Sequence, residues 1–280
     1  MNNKNNEITK NVKNALEEDV GSGDVTTDLV ESHTIAEATL ISRDNAILCG
    51  IDWFNEVFNQ LDNSVEIKWN FSDGDKIKAN QTVCNISGPV HSILTGGRTA
   101  INFIQTLSAV STNVAAFVNR VKNTKTEILD TRKTIPGLRY AQKYAVTVGG
   151  GTNHRKGLYD EILIKENHIL ASGSIEKTIK MAKEKKLRIT IEVEDLNQLE
   201  NALKTDVDCI MLDNFTPTNI QKAVKMTKGK IKLEASGNTN IHNVHTIAGT
   251  GVDFISIGAL TKNIEAIDFS MSVNLVYVAR

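Results

Sequence analysis

The sequence predicts an α/β protein: an incomplete parallel α/β barrel of about six strands, with an α+β domain at its N-terminus. Three observations predict it. From Glu127 onward, short β-rich runs alternate with helical patterns at the spacing of βαβ units. Several of these runs are near-continuous Ile, Leu and Val, as expected of parallel strands covered on both faces. Nearly every run then ends in a polar residue or a glycine, at the place where an α/β barrel gathers its ligand groups.

The N-terminal part reads differently. Residues 8–20 have the amphipathic spacing of a short helix and lead into the turn Gly21-Ser22-Gly23-Asp24. Runs 35–41 and 65–71 alternate in the strand manner, with a helix at 52–61 between them. Residues 82–86 and the apolar positions Ile93 and Leu94 read as further strands, with antiparallel pairing. A long helix follows at 98–122, with Ile101, Ile104, Leu107, Val110, Val114, Phe117 and Val121 on one stripe, and bridges into the barrel. The apolar tail 269–278 is a closing strand or helix that returns to the first domain. The division expected is thus 1–108, joined by 268–280, against a barrel over 109–267.

The barrel strands are expected at 127–130, 161–165, 188–194, 208–213, 230–236 and 253–258. Ser174, Asp195 and the pair Thr216-Pro217 each open a helix between them, in positions where a side-chain oxygen or a first-turn proline suits the helix start. Six strands are fewer than the eight of a closed barrel, so the barrel is expected to be incomplete.

Charge is concentrated. Between Thr131 and Lys165 lie Arg132, Lys133, Arg139, Lys143, Arg155, Lys156 and Lys165, against Asp160 and Glu161, although the whole chain carries a net charge of -1. Arginine forks bind carboxylate or phosphate through two parallel hydrogen bonds, and the nearby glycines let main chain approach a ligand closely. The reading is a pocket for a small, multiply negative substrate; a solvated basic face is the alternative. A pI of about 6.6 argues against general nucleic-acid affinity. No apolar run approaches the roughly 18 residues of a membrane span, and the polar start Met-Asn-Asn-Lys-Asn-Asn is unlike a signal peptide. Cys49, Cys84 and Cys209 are odd in number and widely spaced, which fits reduced thiols in the cytoplasm. Neither a P-loop, nor a dinucleotide-binding glycine fingerprint, nor a nucleophile elbow is present.

The candidate site residues follow from the strand ends. Arg132 and Lys133 come directly after a strand, and His154-Arg155 follow the triple glycine Gly149-Gly150-Gly151. Lys165 ends an apolar strand, where a lysine needs an anionic partner or solvent. Glu194 and Asp213 offer carboxylates at neighbouring strand ends, suited to ribose hydroxyls or to Mg²⁺. Ser236-Gly237-Asn238 and Ser256-Ile257-Gly258 are small residues whose N–H groups suit a phosphate, particularly at a helix start. His242 and His245 read as a helix-surface pair, and His33, His91 and His168 have no argued role.

Several of these stretches also carry a resemblance. Gly-Asp-Val-Thr-Thr (23–27), Arg-Thr-Ala-Ile-Asn-Phe (98–103), Asp-Thr-Arg-Lys-Thr-Ile-Pro-Gly-Leu-Arg (130–139), Gly-Gly-Gly-Thr-Asn-His-Arg (149–155), Leu-Ile-Lys-Glu-Asn-His (163–168), Ile-Glu-Val-Glu (191–194), Met-Leu-Asp-Asn-Phe (211–215) and Glu-Ala-Ser-Gly-Asn (234–238) occur in order through nearly the whole chain. The sequence resembles the quinolinate phosphoribosyltransferases, also called nicotinate-nucleotide pyrophosphorylases (carboxylating). The resemblance implies an N-terminal α/β sandwich domain, an incomplete barrel and a homodimer. It also implies a reaction in which quinolinate and phosphoribosyl pyrophosphate give nicotinate mononucleotide, pyrophosphate and CO₂ with Mg²⁺, in NAD biosynthesis.

Carried over residue by residue, Arg98 (from the partner subunit), Arg132, His154 and Arg155 would hold quinolinate, and Thr131 would also bind substrate. Lys133 and Lys165 would stabilise the departing charge, and Glu194 and Asp213 would take ribose hydroxyls and metal. Ser236, Gly237, Asn238, Ser256, Ile257 and Gly258 would hold the 5′-phosphate. The chain departs from the family pattern at Gly97, where Glu is common, and in a slightly short loop between Glu194 and Asp213. Two other readings stay open: a same-fold enzyme with another substrate, such as the molybdenum-transport-associated relatives, and a non-catalytic anion-binding protein.

Overall fold

A computed structural model describes residues 2–31 and 34–276. The chain runs through α1 (Asn2–Val20), a 3₁₀ turn (Thr27–Leu29), β1 (Ile35–Ser42), β2 (Ala46–Ile47), α2 (Ile51–Leu61), β3 (Glu66–Trp69), β4 (Lys76–Ile77), β5 (Thr82–Pro89) and α3 (Val90–Val121). It continues through β6 (Glu127–Leu129), α4 (Arg139–Val148), β7 (Ile162–Ile164), α5 (Glu166–Ser172), α6 (Ile175–Lys183), β8 (Ile189–Val193), α7 (Leu196–Ala202) and β9 (Cys209–Asp213). The last elements are α8 (Pro217–Thr227), β10 (Lys232–Ser236), α9 (Val244–Ala248), β11 (Phe254–Ser256), α10 (Ala259–Lys262) and β12 (Phe269–Val276).

These elements form two compact units, the first made of Met1–Asn113, Ile135–Gly149 and Asn263–Arg280, the second of Val114–Thr134 and Gly150–Lys262. In the first unit a sheet of order β12-β1-β5-β3 is antiparallel throughout. Ala36, Ala38, Leu40 and Ser42 of β1 are buried while Ile35, Glu37 and Thr39 are more exposed, the period of two that a sheet with one covered face requires. Helix α2 buries Trp53, Phe54, Val57 and Phe58. Phe54 meets Trp69 of β3 edge-on at 5.1 Å between ring centroids.

The C-terminal tail is a strand: β12 pairs with β1 from Ser42 opposite Phe269 to Ile35 opposite Val276. Residues 277 and 278 of the expected element lie outside the described residues, as does His33. The strand expected at Ile93 and Leu94 is not formed. Both residues belong to α3, which starts directly after Pro89, and the spacing of Val90, Ile93, Ala100, Ile101, Ile104 and Leu107, all buried, is helical. Among the described residues α3 is the one helix long and apolar enough to cross a membrane by length and composition. That revises the reading that no segment qualifies, and its apolar stripe is buried in protein.

Segment 135–149, read from the sequence with the barrel, is tied into the first unit by polar contacts. Tyr144 of α4 donates its hydroxyl to Asp73 Oδ2 at 2.8 Å. Asp73 Oδ1 in turn accepts the backbone N–H groups of Gly50 and Ile51 at 3.0 and 3.2 Å, capping the start of α2. Gly50 adopts a left-handed φ of 115°, which favours glycine there. Asn11 of α1 accepts from Trp53 Nε1 at 3.2 Å and donates to Gly137 O at 2.9 Å. Gly97, where the family commonly has Glu, faces the terminal methyl of Met271, which fills the space a Cβ would take.

The second unit is the expected six-stranded parallel sheet, of order β6-β11-β10-β9-β8-β7. Its strands are covered, as in β9, where Cys209, Ile210, Met211 and Leu212 are all buried. The helix starts follow the sequence reading. Asp195 accepts the N–H groups of Asn197 and Gln198, both at 2.8 Å, Ser174 accepts from Lys177 N, and Thr216 accepts from Asn219 N with Pro217 in the first turn. β6 and β7 are the two edges of the order, so the sheet stays open between them. Along β6, Thr152 forms a parallel bridge with Leu129. Its N–H donates to Ile128 O at 2.8 Å and its carbonyl accepts from Asp130 N at 3.2 Å. The glycine-rich loop is thereby fastened to the open edge.

Candidate active site

The strand registers set the candidate side chains at one end of the second unit's sheet. Asp213 pairs with Ser236, Ser236 with Ser256, and Ser256 with Leu129, which leads into Asp130-Thr131-Arg132-Lys133. Val193 opposite Leu212 places Glu194 beside Asp213, and Ile164 opposite Ile191 places Lys165 beside Glu192. Period-two alternation then puts Glu192, Met211 and Glu234 one layer deeper on that same face.

At the end of β6 the backbone is held from several sides. Asp130 is fully buried and accepts His154 N–H on Oδ1 at 2.8 Å. Thr131 Oγ1 accepts Lys133 N–H at 3.1 Å, and Thr261 Oγ1 donates to Lys133 O at 2.8 Å. The Lys133 stem lies over Gly258, where a Cβ would stand 2.9 Å from Lys133 Cδ and 3.8 Å from its Nζ. Arg155 has its proton affinity lowered, first by burial and then by the positive charge of Arg132. The two guanidinium groups, from separate segments, are therefore near enough for the charge of one to bear on the other.

His154 points inward. Its Nδ1 accepts the Arg155 backbone N–H at 2.7 Å and its Nε2 lies 3.3 Å from Glu234 Oε2. Glu161 is 3.7 Å from Nδ1 through Oε2, and its Oε1 accepts from Thr190 Oγ1 at 2.7 Å. The sequence places Glu234 among the polar strand ends and Glu161 within the basic stretch, and gives neither a role in the site. The available signal was a carboxylate bordering an apolar strand or inside one, as in Lys-Leu-Glu-Ala-Ser of β10.

Lys165, expected to find an anionic partner, has one within the chain: its Nζ is 2.5 Å from Glu192 Oε2. Glu194 is exposed and Asp213 half-buried, the latter accepting from Asn214 Nδ2 at 3.0 Å. Among the described residues no group of three or more His, Cys, Asp or Glu side chains could enclose a metal. Two hard carboxylates at adjacent strand ends nevertheless fit Mg²⁺, which keeps several waters and takes its remaining oxygens from substrate phosphates. His242 precedes α9 and His245 lies within it, with its Nδ1 3.1 Å from Arg120 O, so the expected helix-surface pair is not formed.

Gly237 has a φ of +99° and packs against the Asn214 carboxamide. Asn214 N–H donates to Ser236 O at 2.8 Å, and Asn238 Nδ2 contacts Asn214 Oδ1 at 3.4 Å. Helix α10 begins directly after Gly258, whereas α9 begins at Val244, well after Asn238. The basic cluster read from the sequence divides between the units. Arg132, Lys133, Arg155, Lys156 and Lys165 belong to the second unit, and Arg139 and Lys143 sit on α4 in the first. Arg98 is exposed on α3, also in the first unit.

The chain as a whole matches one family. A model described as the quinolinate phosphoribosyl transferase N-terminal domain covers residues 24–108, and its C-terminal counterpart covers 110–272. The chain belongs to the quinolinate phosphoribosyltransferase family. A relative in Bacillus subtilis, a probable nicotinate-nucleotide pyrophosphorylase (carboxylating), is 38% identical over 261 residues, spanning 92% of this chain and 90% of that protein. The nicotinate-nucleotide pyrophosphorylase (carboxylating) of Mycobacterium leprae is 35% identical, over 94% of this chain and 95% of its own. Among solved structures, the nicotinate-nucleotide pyrophosphorylase from Francisella tularensis superposes with a TM-score of 0.93 at 47% identity, covering 96% of this chain and 97% of that one. As a quinolinate phosphoribosyltransferase family member, the chain is an enzyme of the pentosyltransferase class, and its parallel sheet with a separate antiparallel domain is the family's architecture.

Proposed function

We propose that this protein transfers the phosphoribosyl group of phosphoribosyl pyrophosphate to quinolinate, giving nicotinate mononucleotide, pyrophosphate and CO₂ for NAD biosynthesis. The observation that carries the site assignment is the hydrogen bond from His154 N–H to Asp130, which sets the Arg155 segment beside the Arg132 segment. The positive charge of Arg132 adds to burial in lowering the proton affinity of Arg155, and an anion in the space beside them would relieve this. Quinolinate supplies two carboxylates for that space. Thr131 and the His154–Arg155 segment complete its cradle, and Arg98 reaches it from a second copy of the chain in a homodimer.

In the first step the pyridine nitrogen lone pair forms a bond to the ribose anomeric carbon as the bond from that carbon to pyrophosphate breaks. Lys133 and Lys165 stabilise the charge that develops on the departing pyrophosphate, an electrostatic role. Glu194 and Asp213 hold the ribose hydroxyls, and Ser236 to Asn238 with Ser256 to Gly258 hold the 5′-phosphate through small side chains and backbone N–H groups. Glu194 and Asp213 are the residues that would hold Mg²⁺, which when bound would supply Lewis-acid neutralisation of the departing pyrophosphate. In the second step the ring nitrogen is cationic, so the bond from C2 to its carboxylate breaks as CO₂ leaves. Its electron pair stays at C2, which then takes a proton. We place this reaction in the cytoplasm.

The test is direct. Purified protein with quinolinate, phosphoribosyl pyrophosphate and Mg²⁺ should form nicotinate mononucleotide and CO₂ in equal amounts. No product from quinolinate, with the protein folded, would mean that this family member acts on another substrate.

A further inference from the structure

The His154 imidazole is nearly closed off from solvent, with 8% of its side chain exposed, and its two ring nitrogens have different partners. Nδ1 accepts the Arg155 backbone N–H, so it carries a lone pair and the proton of the neutral ring belongs on Nε2. Nε2 faces Glu234 Oε2 at 3.3 Å. Glu161 approaches Nδ1 only to 3.7 Å and cannot draw a proton there without displacing the Arg155 N–H.

Glu234 is the odd member of this arrangement. Its side chain is 2% exposed, and its Oε1 has no hydrogen-bond partner. A buried carboxylate with an orphan oxygen is costly, and an apolar residue in the middle of β10 would avoid that cost. Packing does not explain it. A ring that must be held in one tautomer does, because a carboxylate facing Nε2 favours the proton on that atom and leaves Nδ1 free for the backbone.

We propose that Glu234 is a positioning residue for substrate binding. It holds the Nε2–H tautomer of His154, which fixes the peptide between His154 and Arg155 and so sets the direction of the Arg155 guanidinium. Asp130 grips the preceding peptide, between Asn153 and His154, through His154 N–H, and Arg155 Nη1 is steadied by Glu161 O at 3.4 Å. The substrate part of this inference rests on the proposed function; the tautomer part does not.

Two measurements on the full chain test it. Nitrogen-15 NMR of the imidazoles, without substrate, should show the neutral Nε2–H form of His154 in the wild type. The same form should persist in Glu234→Gln, whose amide oxygen accepts that proton, and should be lost in Glu234→Ala. In steady-state kinetics Glu234→Ala should raise KM for quinolinate by about tenfold or more, as expected when the aim of a charge-assisted contact is lost. KM for phosphoribosyl pyrophosphate should hardly change, and Glu234→Gln should stay near wild type.

A wild-type His154 protonated on Nδ1 overturns the proposal. So does a Glu234→Ala protein that keeps the tautomer, or one that loses both substrates equally, which is what general structural damage would do. If Glu234→Ala fails to fold, Glu234→Leu, which keeps volume without an acceptor, replaces it. If the wild type does not use quinolinate at all, the proposed function falls while the NMR result still decides the positioning of His154.

Discussion

Lys165 Nζ lies 2.5 Å from Glu192 Oε2, joining the end of β7 to the inward face of β8. The register of Ile164 opposite Ile191 makes the two residues neighbours. Nearly half of the Lys165 side chain is exposed, so the pair is not a buried bridge holding the sheet together. On the proposed function it is a cation at the end of β7 available to the departing pyrophosphate.

Lys165→Ala should therefore leave the fold intact and damage catalysis. Thermal stability should change by less than about 1 kcal/mol, the range of exposed ion pairs. kcat/KM should fall by about one to two decades, the value of a charge-assisted bond to a desolvated phosphate. Unchanged kinetics in the folded variant would return Lys165 to a structural role.

Two glycines separate the site from the fold. At Gly258 an added methyl meets the flexible Lys133 stem at 2.9 Å, and the stem can swing away. Gly258→Ala should keep its melting temperature and lose use of phosphoribosyl pyrophosphate, read as a rise in its KM. Gly237→Ala meets the Asn214 carboxamide at a φ of +99° and should cost about 1–3 kcal/mol of stability, read by denaturant unfolding.

Asp24 gives a pH signature. Hydrogen bonds from the Thr27 hydroxyl, the Thr27 N–H and the Thr95 hydroxyl lower its pKa from 3.8 to about 2. A depressed folded pKa means the folded state binds this proton less well than the unfolded chain. The stabilisation is then present above pH 3.8 and is lost as pH falls toward about 2. Melting curves of wild type and Asp24→Asn should differ near neutral pH and converge below that window. A gap that persists at lower pH would show that the carboxylate's charge is not what matters.

Substrate choice should follow from the paired arginines. On the proposed function Arg132 and Arg155 would meet the carboxylates of the substrate ring, and a guanidinium left without its partner is costly. Quinolinate should be strongly preferred over nicotinate, which has one carboxylate. Comparable turnover of nicotinate under the same conditions would contradict this.

The shared site can be tested by mixing subunits. Arg98→Ala and Lys133→Ala should each be inactive alone. After exchange, a mixed dimer should hold one site with both defects and one with neither, so part of the activity should return. Verified exchange with no recovery would place Arg98 in its own chain's site.

The alternation of strand and helix, the helix starts at Ser174, Asp195 and Thr216, and the polar strand ends were all legible in the sequence by itself. They depend on local periodicity and local hydrogen bonding, which short stretches of chain encode. The ordered family motifs were legible for the same reason, as contiguous residues. The strand wrongly expected at Ile93 and Leu94 failed where a few apolar residues satisfy both periods and only the longer pattern through Leu107 decides.

Tertiary structure alone decided which groups face each other. It put Arg139 and Lys143 in the first unit, although they follow Lys133 by only 6 and 10 positions in sequence. It brought Glu234 to His154 across 80 positions of chain, and Glu192 to Lys165. Such pairings are set by strand register and by long-range bonds such as Thr152 N–H to Ile128 O. Their free energy depends on burial and distance in the folded state, which the order of residues along the chain does not display.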